Sequence, residues 1–170
     1  MNIVRSIAKV LFILTRITAL GYLLSFFLSS LAFATGFGLN LIEQKTRFEI
    51  AYPFTRQPYL LGEYNSGYIL AFLLLLALYA LFFFLIGNVF RVFCQSRLFT
   101  ENGIRQLKRF YTSNLVFPTA AVLVVMPFYD IDSPVAILVI LHAFLGIFSY
   151  FMAVIFEQGV SLQDEQDLII

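Results

Sequence analysis

The sequence has no tryptophan, one cysteine and one histidine, and only 12% of its 170 residues are charged. The single Cys94 excludes an internal disulfide, and the single His142 excludes the clusters of His and Cys that zinc or redox sites need. Eleven basic residues against ten acidic residues give a net charge of +1, which excludes a polybasic nucleic-acid-binding domain. We therefore expect no enzyme, no metal or cofactor, and no direct nucleic-acid binding.

Hydrophobic residues make up 61% of the chain, more than a soluble domain can cover. A helix needs about 20 apolar residues to cross a bilayer. Four runs reach or approach that length: residues 10–36, 68–90, 110–129 and 134–156. The sequence predicts an all-α polytopic membrane protein, a four-transmembrane-helix bundle in one domain, residues 1–170, with the lipid bilayer as its main partner.

The positions of the basic residues predict the orientation, because short loops rich in Lys and Arg stay in the cytoplasm. Eight of the eleven lie before or within the start of the first span or in the connection 91–109: Arg5, Lys9, Arg16, Arg91, Arg97, Arg105, Lys108 and Arg109. We expect both termini and the tail 157–170 in the cytoplasm, and the loop 37–67 outside.

A cleaved signal peptide is the alternative for the first span. Ala32-Phe33-Ala34 has the small-x-small form of a cleavage site, and basic residues precede the apolar run. The uncharged run from Ile17 is longer than the apolar region of a typical signal peptide, which favours an uncleaved anchor.

Two stripes of small residues recur at helical spacing: Gly21, Ser25 and Ser29 in the first span, and Ala143, Gly146, Ser149 and Ala153 in the fourth. Such residues allow helices to approach closely in lipid. We expect these two spans to pack against each other in one bundle. A homodimer seam is the alternative, which makes a homo-oligomer an open expectation.

Few polar residues interrupt the spans. We expect Arg16 to reach the headgroups, Asn88 and Asn114 to form a polar contact or cap near the cytoplasmic boundary, and His142 to be hydrogen-bonded within the bundle. Proton sensing by His142 is the alternative. Pro118 removes a helical hydrogen bond and predicts a kink.

The loop 37–67 contains an alternation of polar and apolar residues over Thr46–Tyr52, which is typical of a half-buried strand. Pro53, Pro58 and Gly62 then indicate turns. The loop is expected to form a small hairpin or cap over the outer face, as a structural lid or as a ligand-binding element.

The connection 91–109 and the tail carry opposite charge in the predicted cytoplasmic compartment. Thr100 is a good helix N-cap with Glu101 in the first turn, and the helix that follows bears an apolar stripe beside a basic one. The tail holds Glu157, Asp164, Glu165 and Asp167. We expect the two segments to pair as an ionic latch. Cys94 is an inert thiol or, alternatively, a palmitoylation site.

Three stretches together resemble a known family: LFTENGIRQLKRF from Leu98, VVMPFYDIDSPVAIL from Val124, and VIFEQGVSLQDEQDLII from Val154. The family is a bacterial one of unknown function, domain of unknown function 2975. The resemblance covers roughly the last eighty residues, and the first two spans match in layout alone. The chain ends Asp-Leu-Ile-Ile and lacks the threonine frequent at the end of the family.

The resemblance implies a four-helix protein of the bacterial inner membrane whose relatives are often encoded beside a small Xre/Cro-type DNA-binding protein. It suggests a membrane regulatory or sensory protein that modulates such a partner, and a small transporter or channel component is the alternative. The candidate docking residues are Phe99, Asn102, Arg105, Lys108, Arg109, Leu162, Asp164, Glu165, Asp167 and Leu168.

Overall fold

A computed structural model describes residues 2–130 and 132–167 of the protein. Four long helices form most of it: α1 (Asn2–Thr35), α2 (Ser66–Phe93), α3 (Glu101–Val125) and α4 (Ser133–Asp167). Three strands lie between α1 and α2: β1 (Leu39–Ile42), β2 (Arg47–Ala51) and β3 (Pro58–Glu63), with a short 3-10 turn at Glu43–Lys45. The all-α prediction is therefore wrong in one respect, because a small sheet accompanies the helices.

Each helix packs mainly along its neighbour in the sequence, in the order α1, α2, α3, α4. Three of them are long and apolar enough to cross a membrane: Ile3–Thr35, Ser66–Phe93 and Ser133–Gln166. The helix that does not meet this criterion is α3, whose first half is polar. Its second half from Leu115 onward is apolar apart from Pro118 and Thr119.

The two stripes of small residues do not meet, contrary to our expectation. In the described residues, α1 and α4 share no extended contact. Ser25 of α1 instead hydrogen-bonds the Tyr59 hydroxyl of β3 at 2.5 Å. Gly146 of α4 lies so close to α3 that an added Cβ would stand 2.8 Å from Cγ of Leu115. Ser25 of the first stripe thus lies against β3, and Gly146 of the second stripe lies against α3.

The sheet is an antiparallel meander in the order β1, β2, β3. The strand predicted within Thr46–Tyr52 is confirmed as β2. Its alternation turns Phe48 and Ile50 inward, where both are fully buried against residues of α1 and α2, including Ala32. The loop 37–67 is thus a folded cap attached to the helices by its own apolar face.

Two of the predicted turn positions belong to a strand instead. Pro58 is the first residue of β3, a place where a missing N–H is tolerated. Gly62 lies inside β3 because an added Cβ would stand 2.6 Å from the Tyr68 ring and 2.7 Å from the Phe48 ring. Gly62 therefore allows the rings of Tyr68 and Phe48 to pack directly against the backbone of β3.

The helices run alternately, which gives the molecule two distinct ends. One end, called the sheet end, holds the sheet, the start of α2 and the turn between α3 and α4. The other, called the charged end, holds the start of α1, the α2–α3 connection and the end of α4. A hydrogen bond of 3.4 Å from the Arg5 guanidinium to the Ser96 carbonyl joins two of these parts.

The start of α2 approaches the α3–α4 turn closely at Gly67. Its amide donates to Oδ1 of the N-cap residue Asn65 at 2.8 Å. A Cβ at this position would stand 2.2 Å from the carbonyl oxygen and 2.7 Å from the carbonyl carbon of Phe128. Because these are backbone atoms, no side-chain rotation relieves the overlap.

We predict that Gly67→Ala destabilises the protein by about 1–3 kcal/mol, the usual cost of overpacking. The matched control is Gly21→Ala, since Gly21 has no atom within 4 Å of an added Cβ. Thermal unfolding in detergent, followed by circular dichroism, measures both variants. Equal melting temperatures for the two variants would contradict the close contact at Gly67.

Candidate functional site

The start of α3 at the charged end is formed as its sequence predicts. The Thr100 hydroxyl accepts a hydrogen bond of 3.1 Å from the Gly103 amide, and Glu101 occupies the first turn. Four of the candidate docking residues lie on this part of α3 and are exposed: Asn102, Arg105, Lys108 and Arg109. They leave a polar and basic surface open to solvent or headgroups.

The apolar side of the same helix faces inward. Leu107 is 3% exposed and packs in a cluster with Val92, Ala153 and Phe156, which Ile104 flanks. The predicted apolar stripe is confirmed, and it serves to attach α3 to α2 and α4. Only the basic side of this segment is free for a partner.

Phe99 also packs within the chain. Its half-buried ring lies edge-on to Phe156, with ring centroids 5.3 Å apart. The same ring covers Gly159, where an added Cβ would stand 2.5 Å from it. Phe99 therefore attaches the end of α4 to the α2–α3 connection. The half-buried Cys94 follows α2 in the same connection, with its Sγ 3.5 Å from the Phe90 carbonyl.

The segment after Glu157, treated as a tail in the sequence analysis, continues α4 to Asp167. Leu162 on it is 60% exposed, and Asp164 and Glu165 are exposed as well. The side chain of Asp167, and Leu168 as a whole, lie outside the described residues. The described part is a helical end with one large exposed apolar side chain, Leu162, one turn before the carboxylate of Glu165, and with Asp164 on a different face.

The expected ionic latch is absent from the described side chains. The ion pair found among them joins Arg47 to Glu43 at 3.1 Å, within the sheet region. Exposed ion pairs contribute at most about 1 kcal/mol, because water solvates the separate charges well. The end of α4 is held instead by the aromatic contact of Phe99 with Phe156 and Gly159.

Arg16 does not reach out to the headgroups as expected. Its guanidinium donates to Oδ1 of Asn88 and, at 3.3 Å, to the carbonyl of Phe84, both on α2. It also stands over the Phe84 ring, 4.2 Å from the centroid. The arginine therefore joins α1 to α2 through hydrogen bonds and a cation–π contact.

His142 is hydrogen-bonded within the bundle, as predicted. Its Nδ1 lies 2.7 Å from Oδ1 of Asn114, and the Asn114 amide donates to the Phe110 carbonyl at 2.8 Å. Since an amide oxygen only accepts, Nδ1 carries the proton in this pair. Asn88 and Asn114 do not contact each other, because each is paired with a different residue.

The contact of Phe99 with Phe156 and Gly159 could not be predicted from the sequence, because these partners are distant from Phe99 in the chain. The available signal was Gly159 itself, an isolated glycine in a helical pattern, which often has a packing reason. The Arg16–Asn88 pair could not be predicted either, because the two residues lie on different helices, 72 positions apart.

We predict that the effect of Gly159→Ala changes sign with the residue at position 99. In the natural background the methyl group collides with the Phe99 ring and loosens the end of α4. With Phe99→Ala the collision disappears, and alanine's higher helix propensity, about 1 kcal/mol, stabilises that end. Hydrogen exchange of amides 157–167 in detergent measures this.

Gln158→Ala is the matched control, because Gln158 is exposed. It should leave exchange in this segment nearly unchanged. If Gly159→Ala slowed exchange equally in both backgrounds, the contact between Phe99 and Gly159 would be refuted.

We predict that Asn114→Leu lowers stability by about 1–3 kcal/mol, because it leaves the His142 Nδ1 proton without its partner. Asn114→Leu combined with His142→Phe should recover part of this loss, since both ends of the pair are then apolar. Thermal unfolding in detergent measures the cycle, and strictly additive losses would argue against the pair.

Comparison with known proteins gives one match. A family described as Protein of unknown function (DUF2975) matches residues 40–170. The match extends well beyond the last eighty residues and takes in most of the sheet and all of α2. No curated protein and no solved structure matches the chain.

Proposed function

The chain belongs to the DUF2975 family of proteins of unknown function, and from this premise we propose that it is a non-enzymatic membrane regulatory protein. Its acting surface is the charged end, which carries the basic side of α3 and the acidic end of α4. The partner we propose is a small cytosolic helix-turn-helix DNA-binding protein of the Xre/Cro type. The apolar helices are compatible with an integral membrane protein.

The proposed topology has four crossings and both termini in the cytoplasm of a bacterial inner membrane. Eight of the eleven basic residues lie in the half of the helices nearer the charged end, which favours the cytoplasmic side for that end. In this arrangement the third crossing is the predicted span 110–129. Its apolar part in α3, residues 115–125, is about 16 Å long and packs between α2 and α4. A helix of 35 residues such as α4 is about 52 Å long, against a hydrocarbon core of about 30 Å. Its charged end therefore projects into the cytoplasm.

Exposure of Leu162 is the single observation that carries the docking proposal. A leucine that is 60% exposed, one helical turn before Glu165 and close in the chain to Asp164, has the composition of a small interaction site: an apolar anchor with charged residues around it. Phe99 holds the helix that presents it. A partner therefore meets an ordered surface.

The carboxylates at the end of α4 favour a basic partner. DNA-binding proteins present Lys and Arg to the phosphate backbone. Carboxylates at Asp164 and Glu165 attract the same surface, so docking competes with DNA. The protein would regulate by holding its partner at the membrane and away from its operator.

We predict that Asp164→Lys with Glu165→Lys lowers recovery of the DNA-binding partner at least about tenfold, because two attractive charges become repulsive. The assay is a pull-down of the full-length protein from detergent-solubilised membranes, with the captured protein identified and tested for DNA binding. Leu162→Ala should also reduce recovery, through loss of the apolar anchor.

Glu43→Lys is the control, since it makes one such charge reversal in the 3-10 turn of the sheet region, remote from α4. It should leave recovery unchanged. The proposal would be abandoned if the double reversal and Leu162→Ala both left recovery of a DNA-binding protein unchanged. It would also be abandoned if the natural chain captured no DNA-binding protein.

A small transporter or channel component is the second candidate. The observation that favours it is a cavity between α2, α3 and α4. Against it stand the polar groups inside the helices, because Arg16, Asn88, Asn114 and His142 are satisfied by one another or by backbone carbonyls. Solute flux into liposomes that contain only this protein would decide for transport.

A further inference from the structure

A cavity of about 160 Å³ lies between α2, α3 and α4. It extends from the Asn114–His142 pair to the turn between α3 and α4 at the sheet end, where Asp130 and Asp132 are exposed. A cavity of about 150 Å³ holds a molecule of the size of benzene. An occupant can therefore bury one aromatic ring or a short branched alkyl group.

The body of the cavity is apolar. Side chains such as Leu75, Phe82, Phe117 and Val139 line it. At its inner end, Asn114 and His142 already satisfy each other at 2.7 Å, so they demand no polar group from an occupant. The cavity favours an apolar moiety.

The mouth of the cavity is acidic. Asp130 and Asp132 line it, and no Lys or Arg is among its lining residues. Within the described residues, neither carboxylate has an ion-pair partner. The amino-terminal end of α4 contributes roughly half a positive charge beside them, which leaves a net negative mouth.

Tyr129 lies in the same turn as the two carboxylates. Its ring also lines the mouth, edge-on to Tyr68 at 5.7 Å. Aromatic faces beside carboxylates favour a cation over a neutral group.

We propose that this cavity binds a small hydrophobic monocation, with its apolar group between α2, α3 and α4 and its ammonium group beside Asp130 and Asp132. The assignment is independent of the docking proposal, because the two sites lie at opposite ends of the helices. It also differs from the transport proposal. Binding requires only one opening of the cavity, whereas transport requires a second opening on the other side of the membrane.

The probe is benzyltrimethylammonium, whose single ring fits the volume, and the neutral comparison is neopentylbenzene, which has the same shape without the charge. Full-length protein in phosphatidylcholine nanodiscs is dialysed to equilibrium against each compound. Empty nanodiscs correct for partition into lipid. We expect saturable binding of the cation, tighter than binding of the neutral compound by about tenfold, the effect of one carboxylate interaction near a protein surface.

Three variants locate the site. Asp130→Asn with Asp132→Asn should weaken cation binding by about tenfold and leave the neutral compound unaffected. Ala121→Phe, which fills the cavity from α3, should abolish binding of both compounds. Glu43→Gln, remote from the cavity, should change neither.

The Asn variants alter exposed side chains only, so they remain informative if Ala121→Phe fails to fold. Absence of saturable cation binding would overturn the proposal. So would equal affinity for both compounds with no effect of the Asn variants, which would indicate a cavity for lipid chains. Cation binding that survives in a folded Ala121→Phe protein would place the site elsewhere and also overturn it.

Discussion

Close contact between helices is the constraint on which this structure depends. In a bilayer, apolar helices gain little by exchanging lipid for one another, so association needs small residues and polar groups that find partners. Gly146 brings α4 against α3, and Gly67 brings the start of α2 against the α3–α4 turn. Larger side chains at these positions would separate the helices and remove the dispersion contacts that hold them.

The polar contacts divide the molecule into two hairpins. Arg16 and Asn88 join α1 to α2, while Asn114 and His142 join α3 to α4. Between the two hairpins, α2 and α3 meet through apolar and aromatic side chains, and the cavity lies at this joint. The cavity that could bind a ligand thus lies where, among the described residues, no polar side-chain contact joins α2 to α3.

The helices and strands could be predicted from the sequence more completely than the contacts between them. Hydrophobic runs indicated the helices, and the alternation in Thr46–Tyr52 indicated β2, because both signals are local. The strand β3 was missed because Pro58 and Gly62 are ordinary turn residues, and only the rings around Gly62 explain its place. Small residues marked packing faces correctly, but composition does not say which helix covers them.

The candidate site shows the same limit. Charges at Arg105 and Asp164 are visible in the sequence, and their exposure could be expected. The pairing expected from their opposite charges is absent from the described side chains, since solvation competes with each exposed ion pair. The contact that does hold the segment, Phe99 on Gly159, joins positions sixty residues apart, so no local pattern records it.

The aromatic attachment of α4 has a consequence for ionic strength. Salt screens exposed charges over about 10 Å at 0.1 M, but it does not weaken a ring packed on a helix backbone. The end of α4 therefore keeps its position as the salt concentration changes, while attraction between its carboxylates and any charged molecule falls. The contact between Phe99 and Gly159 thus fixes the position of this surface independently of salt, whereas the strength of its electric field depends on the salt concentration.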